Sequence, residues 1–359
     1  MKWIYYVIAV GLSICAFYYT FKNVPFVDIW SYSKSIDYSW VILSMGINYI
    51  SFLIRAYRWK IIVNQIYPLK FCTAYHLTSI TFMMNSLLPG RMGELARPVI
   101  LNQQKNIPVA SGLTTIVSER LFDITILCLL FLGVIMIVDV DPKYKMNIGT
   151  YTLSIDLLTS IAVNIFSGGL ILILCIICFN IDCVRSFITK CLIKLPQLFS
   201  FTGTRIQTFI ERKCIHSIIV NIRHLSEGFS ILKRPSAVCQ CFIHSLTLWI
   251  LIAVSNYVMT FGCKNLDISL FEMTAVLVII CFFISLPSVP GSWGLWEAGG
   301  IFALTIFGIG RHEAIGFTIV NHASQLLPVI VAGLVSVMIT GISVRNSSKY
   351  PVAKLSTKE

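Results

Sequence analysis

The chain has 359 residues, 56% of them hydrophobic and only 12% charged, with a mean hydropathy of +0.81 and a formal net charge of +12. That composition excludes a soluble globular domain and makes the bilayer the expected solvent, where surplus Lys and Arg mark cytoplasmic loops and anionic headgroup contacts, not nucleic acid. The length accommodates about eight or nine spans of roughly 20 residues, and no polar region is long enough to form a soluble catalytic domain.

In chain order, the N-terminal stretch begins with Lys2 and stays apolar to Phe21 without a small-residue cleavage site, which predicts a retained first span. Apolar segments at 3–21, 40–54, 114–138, 157–179, 238–261 and 314–343 predict six full spans of an all-α polytopic fold. Two more apolar segments, 71–88 and 270–286, each run into a Pro-Gly pair. Basic residues orient the set. "RAYRWK" at 55–60, the segment 182–235 with nine Lys or Arg against three acids, and a tail with Arg345, Lys349, Lys354 and Lys358 all go to the cytoplasm. "DVDPKYK" at 139–145 and "CKNLDIS" at 263–269 are charge-balanced and read as external loops. One membrane domain over 1–345 and a short basic tail over 346–359 follow, both termini cytoplasmic. Residues 182–235 form either amphipathic helices on the inner surface or a solvated connector. Twelve scattered cysteines, including Cys175 and Cys178 inside an apolar run, predict helix packing and no metal site.

The segment after Lys70 breaks at Pro89-Gly90 and must return before the span that follows Pro108. Glu94 to Leu101 is 8 residues, about 12 Å of helix, too short to cross. The segment therefore reads as re-entrant from the cytoplasm. By the same reasoning, 270–286 enters from outside, breaks at Pro290-Gly291 and returns near 310–313. Pro89-Gly90-x-x-Gly93 matches Pro290-Gly291-x-x-Gly294, with Glu94 and Glu297 following. Paired broken helices entering from opposite faces are the sequence signature of an inverted repeat around a transport site; two unrelated kinks are the alternative.

Arg91, Glu94 and Arg97 cannot face lipid, since each charge costs about 2.5 to 3.5 kcal/mol on insertion scales. They either neutralise one another, Glu94 pairing along the helix with Arg91 or Arg97, or meet a ligand. A helix N-terminus with two arginines beside it suits a phosphate, and a lipid headgroup is the phosphate most readily met in a membrane. In the next span Glu119 and Asp123 share a face and Arg120 can pair with Asp123. These residues offset the arginines, or serve acid/base or proton-coupling chemistry. Glu297 is predicted to partner an arginine of the opposite repeat or to be protonatable. Trp293 and Trp296 read as interfacial. Asn321, His322 and Gln325 in the last span, with His76 and Asn85 in the first broken segment, read as helix-to-helix hydrogen bonding, a proton relay through His322 and Gln325 being the other possibility. No cofactor, hydrolase or nucleotide motif is present.

"NSLLPGRMGELARPVIL", then "SERLFD", then "LPSVPGSWGLWEAG" resemble, in order and spacing, the flippase-like integral membrane family related to the transmembrane region of lysylphosphatidylglycerol synthases. The resemblance runs over about residues 40–341. It implies translocation of phospholipids or lipid-linked phosphates across the cytoplasmic membrane. Arg91, Glu94, Arg97, Glu119, Arg120, Asp123 and Glu297 fall on the family's motif positions. The bifunctional synthases carry a soluble aminoacyl transferase, and the chain given stops soon after the last predicted span, so aminoacyl-lipid synthesis is not expected. Ser292-Trp293 departs from the family's more glycine-like run. The expected partner is an anionic or lipid-linked phosphate, with Arg91, Glu94, Arg97 and Asn85 at its headgroup and homo-oligomers allowed. A membrane enzyme using a lipid-linked donor and a non-catalytic scaffold are the rival functions.

Overall fold

The computed structural model describes residues 26–88, 92–137, 145–148, 151–154, 181–194 and 229–341, with isolated positions between 160 and 178 and at 226. The predicted span 3–21, nearly all of 157–179, the break at Pro89, Gly90 and Arg91, and the tail 346–359 lie outside the described residues.

The described elements are α1 (Phe26–Ser35), α2 (Tyr38–Val63), α3 (Phe71–Leu87), α4 (Met92–Lys105), α5 (Val109–Ile137), α6 (Asp182–Lys194), α7 (Pro235–Thr260), α8 (Leu270–Ile284), α9 (Leu295–Ile306) and α10 (Arg311–Thr340). The one departure from helix pairing among them is an antiparallel hairpin of β1 (Lys145–Ile148) and β2 (Tyr151–Ser154). It begins at Lys145, where the charge-balanced stretch 139–145 ends. α2, α7 and α10 are long and apolar enough to cross a membrane. At about 1.5 Å per residue, the 26 residues of α2 span some 39 Å, ample for a core of about 30 Å. Their outer faces carry large apolar side chains such as Ile42, Val331 and Met338, which are exposed.

Local chemistry sets the ends. Asp37 caps α2 by accepting the Ser39 N–H at 3.0 Å and its hydroxyl at 2.6 Å. Ser269 and Glu272 form a reciprocal capping box at the start of α8, the Ser269 N–H reaching Glu272 Oε2 at 2.7 Å. Pro235 starts α7, where its missing N–H costs nothing. Gly341, at φ 63°, closes α10 in the left-handed conformation.

The helices run as two similar series. α2 to α5 have 26, 17, 14 and 29 residues, and α7 to α10 have 26, 15, 12 and 30. Contacts repeat in the same way: α3 packs on α4 as α8 packs on α9, α4 on α5 as α9 on α10, and α3 on α10 as α8 on α5. α2 and α7 form the most extensive helix pair. Their seam is joined by Ser255, whose hydroxyl donates to the Ser44 carbonyl at 2.8 Å. Each series has its own apolar core. One gathers Trp59, Leu77, Ile80, Met84 and Ile100, the other Met259, Val276, Ile280, Leu304 and Phe317.

The close approach of α3 and α4 needs a glycine at one point. A Cβ on Gly93 would lie 2.1 Å from the Thr81 carbonyl oxygen and 2.7 Å from Asn85 Oδ1. Gly93→Ala is therefore expected to lower stability by about 1 to 3 kcal/mol through overpacking. A thermal-unfolding midpoint unchanged from the parent would show that α4 slides away freely.

Candidate functional site

The polar interior is built mainly from α2, α4 and α5. Arg58, fully buried, donates through Nη1 to Asp123 Oδ1 at 2.7 Å and to the Ser245 hydroxyl of α7 at 2.6 Å, and through Nη2 to Glu119 Oε1 at 3.1 Å. Arg97 approaches the other oxygen of Glu119 at 2.9 Å. The Arg97 guanidinium lies 4.5 Å over the Trp59 ring, whose own N–H is turned to Thr115. Arg55 reaches Asp123 Oδ2 at 3.2 Å, and Trp249 donates its indole N–H to Oδ1 of the same carboxylate at 3.2 Å. Arg120 holds Asp123 at 3.3 Å and Glu94 at 3.6 Å. With such spacing, α5 turns Glu119 and Asp123 to one face, so both carboxylates meet the arginines of α2.

Several expectations from the sequence are corrected by this geometry. "RAYRWK" is not a cytoplasmic loop: Arg55 and Arg58 lie inside α2 and are buried, and the helix runs on through Trp59, Ile61 and Ile62 to Val63. Arg97 pairs with Glu119, and the described partner of Glu94 is Arg120, so these two residues of α4 do not neutralise one another. Arg91 lies outside the described residues. Among the described residues Glu297 meets no arginine. Its Oε1 lies 2.6 Å from His322 Nδ1, and its Oε2 accepts the Gly294 N–H at 2.6 Å.

His322 is held on every side. Its Nε2 lies 2.9 Å from the Gly291 carbonyl oxygen, the Trp296 ring stacks on it at 4.7 Å, and Trp293 lies against it at 4.5 Å. These tryptophans thus pack a buried imidazole. The turn supplying that carbonyl has positive φ at Gly291 (67°), Ser292 (60°) and Gly294 (86°). Such angles suit glycine and are uncommon for serine. Asn321 and Gln325 both donate to Asn256 Oδ1 of α7 at 3.0 Å, and Gln325 also donates to Asn321 Oδ1 at 3.0 Å. His76 of α3 meets the Ser336 hydroxyl of α10 at 3.0 Å.

A cavity of about 260 Å³ lies where the two series meet. All eight helices of the two series contribute to its wall, with Arg55, Glu94 and Arg120 on one side and Gly291, Trp296 and His322 on the other. Three residues lining it carry a buried polar atom without a hydrogen-bond partner among the described residues: Asn85 Oδ1, Arg120 Nε and Trp296 Nε1. Buried polar groups are nearly always paired, and an orphan costs about 1 to 3 kcal/mol. Two of these atoms, Arg120 Nε and Trp296 Nε1, are donors on residues that line the same cavity.

Spanning helices with exposed apolar faces around a buried, charged and partly unsatisfied centre define an α-helical polytopic membrane protein with an internal polar site. The family model described as the lysylphosphatidylglycerol synthase TM region matches residues 6–333, and the chain belongs to that family. No curated protein and no solved structure matches the chain.

Proposed function

We propose that this protein carries phosphate-bearing lipids between the leaflets of the cytoplasmic membrane, the headgroup passing through the cavity between the two helix series. The observation that carries the reading is the electrostatics of that cavity. On its wall Arg55 and Arg120 face Glu94, and behind them Arg58 and Arg97 pair with Glu119 and Asp123, leaving one positive charge in excess in this network of described residues. Two donors without a partner among the described residues, Arg120 Nε and Trp296 Nε1, suit an acceptor-only group, and phosphate oxygens are such a group. At about 260 Å³, the space suits a headgroup and not a whole lipid, since pockets for drug-sized ligands run from about 300 to 1,000 Å³. Acyl chains then trail into the bilayer.

The matched lengths and contacts of the two series support an inverted repeat. α3, α4, α8 and α9 have 17, 14, 15 and 12 residues. At about 1.5 Å per residue, none exceeds roughly 26 Å, so each pair suits a hairpin dipping into the bilayer, one from each face. Six full spans around two such hairpins, with both termini cytoplasmic, is the corresponding topology.

Vesicles of phosphatidylcholine with a trace of fluorescent phosphatidylglycerol test the function. With protein present, a membrane-impermeant quencher is expected to reach label beyond the outer-leaflet share. Quenching that stops at the protein-free level would overturn the reading.

A further inference from the structure

His322 sits on the cavity wall opposite the arginines, with Glu297 buried behind it, and the pair has a donor count that the ionic network does not. Gly291 offers His322 Nε2 a carbonyl oxygen at 2.9 Å, which can only accept, so Nε2 carries hydrogen. Glu297 offers Nδ1 an oxygen at 2.6 Å. That contact also needs a hydrogen, from a protonated ring or from a protonated carboxyl. The other carboxyl oxygen is engaged by the Gly294 N–H and adds none. Whichever group holds it, the arrangement contains one more proton than a carboxylate beside a neutral imidazole. Loss of that proton to solvent through the cavity leaves two acceptors facing one ring N–H. One hydrogen bond must then break, either to Glu297 or to the positive-φ turn at Gly291.

A second observation concerns register. Arg120 is the twelfth residue of α5 and His322 the twelfth of α10. Both line the same cavity. One series thus presents a permanent cation where the other presents a conditional one. The remaining titratable or charged groups lining this cavity are Arg55 of α2, Glu94 of α4 and Cys281 of α8, while α3 presents Asn85 and Ser86 and α7 presents Trp249 and Ile252.

We infer that Glu297 and His322 form a proton-binding site whose occupancy sets the affinity of the cavity for an anionic headgroup. With the proton bound the pair is neutral overall; without it the pair adds a negative charge to the wall an anion must approach. Proton and anion therefore bind together, and by linkage each raises the affinity for the other. An inward proton gradient can then drive anionic lipid in the same direction. The coupling rests on the lipid reading above, whereas the proton site stands independently of it.

Glu297→Gln separates charge from structure. The glutamine oxygen can accept the Gly294 N–H while its amide donates to a neutral His322, so every hydrogen bond survives with no labile proton. In purified parent protein, side-chain nitrogen NMR of the histidines, assigned by loss of a signal in His322→Gln, is expected to show one proton leaving the pair as pH rises, with no such step in E297Q. Absence of that step in the parent would overturn the proton site. In the phosphatidylglycerol vesicles, parent exchange, normalised to its own maximum, is expected to fall by up to about tenfold per pH unit above the midpoint, the slope of a one-proton step. The E297Q profile is expected to be flat. A flat parent profile with active exchange would overturn the coupling. No exchange at any pH, with the NMR step intact, would overturn the lipid reading and leave the proton site standing.

Discussion

Arg58→Ala is expected to be the most damaging single substitution in the molecule, lowering stability by about 3 to 5 kcal/mol, because it strands buried carboxylates that other arginines only partly cover. Arg58 has no exposed surface and, among the described residues, is the one that bridges Glu119 and Asp123, tying both to Ser245 of α7. Its removal takes charge neutralisation from α5 and the polar tie from α7 together, and leaves a void. Thermal unfolding of detergent-purified protein, with size-exclusion behaviour as a check on assembly, measures the loss. Arg58→Lys is expected to recover part of it, since an ammonium supplies the charge but not the planar fork that serves two carboxylates at once. An alanine variant within about 0.5 kcal/mol of the parent, the range of an ordinary surface change, would show that Arg55, Arg97 and Arg120 suffice.

Arg120→Gln is expected to act on function instead. Its side chain is 30% exposed toward the cavity, and Asp123 keeps Arg55 and Arg58 when Arg120 is lost. Glu94, 20% exposed, retains access to water. Folding should therefore survive. The headgroup loses a charge-assisted hydrogen bond worth about 1.5 to 3 kcal/mol, which corresponds to about a tenfold to hundredfold loss in phosphatidylglycerol exchange at limiting lipid. Exchange of a zwitterionic lipid, measured alongside, should fall less. Equal loss for both lipids would mean that Arg120 shapes the cavity without reading charge.

The long apolar helices were legible because hydropathy over 20 or more residues is a strong signal in a bilayer. α2, α7 and α10 lie where the segments 40–54, 238–261 and 314–343 place them, with ends moved by local capping. The Pro290-Gly291 break was legible as punctuation between α8 and α9. What escaped was the continuation of α2 through Arg55 and Arg58, because basic residues after an apolar run are the usual mark of a cytoplasmic loop. The apolar residues Trp59, Ile61, Ile62 and Val63 beyond them were the available clue. Charge counting gave no warning: Arg91, Arg97 and Arg120 already balance Glu94, Glu119 and Asp123, so nothing demanded further cations. The pairing of Glu297 with His322 joins residues 25 apart on two consecutive helices, α9 and α10, which helical spacing alone does not reveal.

The two series also differ in how they tolerate mutational drift. The eleventh and fifteenth residues are Glu119 and Asp123 in α5, and Asn321 and Gln325 in α10. Around the first pair a single step at Arg58, Glu119 or Asp123 strands a buried charge, so few neutral steps are open. Around the second, each amide can be exchanged for the loss of one or two neutral hydrogen bonds, about 0.5 to 1.5 kcal/mol apiece. Selection acting one substitution at a time thus finds more open steps on the α7–α10 side, and headgroup preference has more room to diversify there than around Arg58, Glu119 and Asp123. Directed evolution toward a new lipid should accumulate its early changes on α7, α9 and α10.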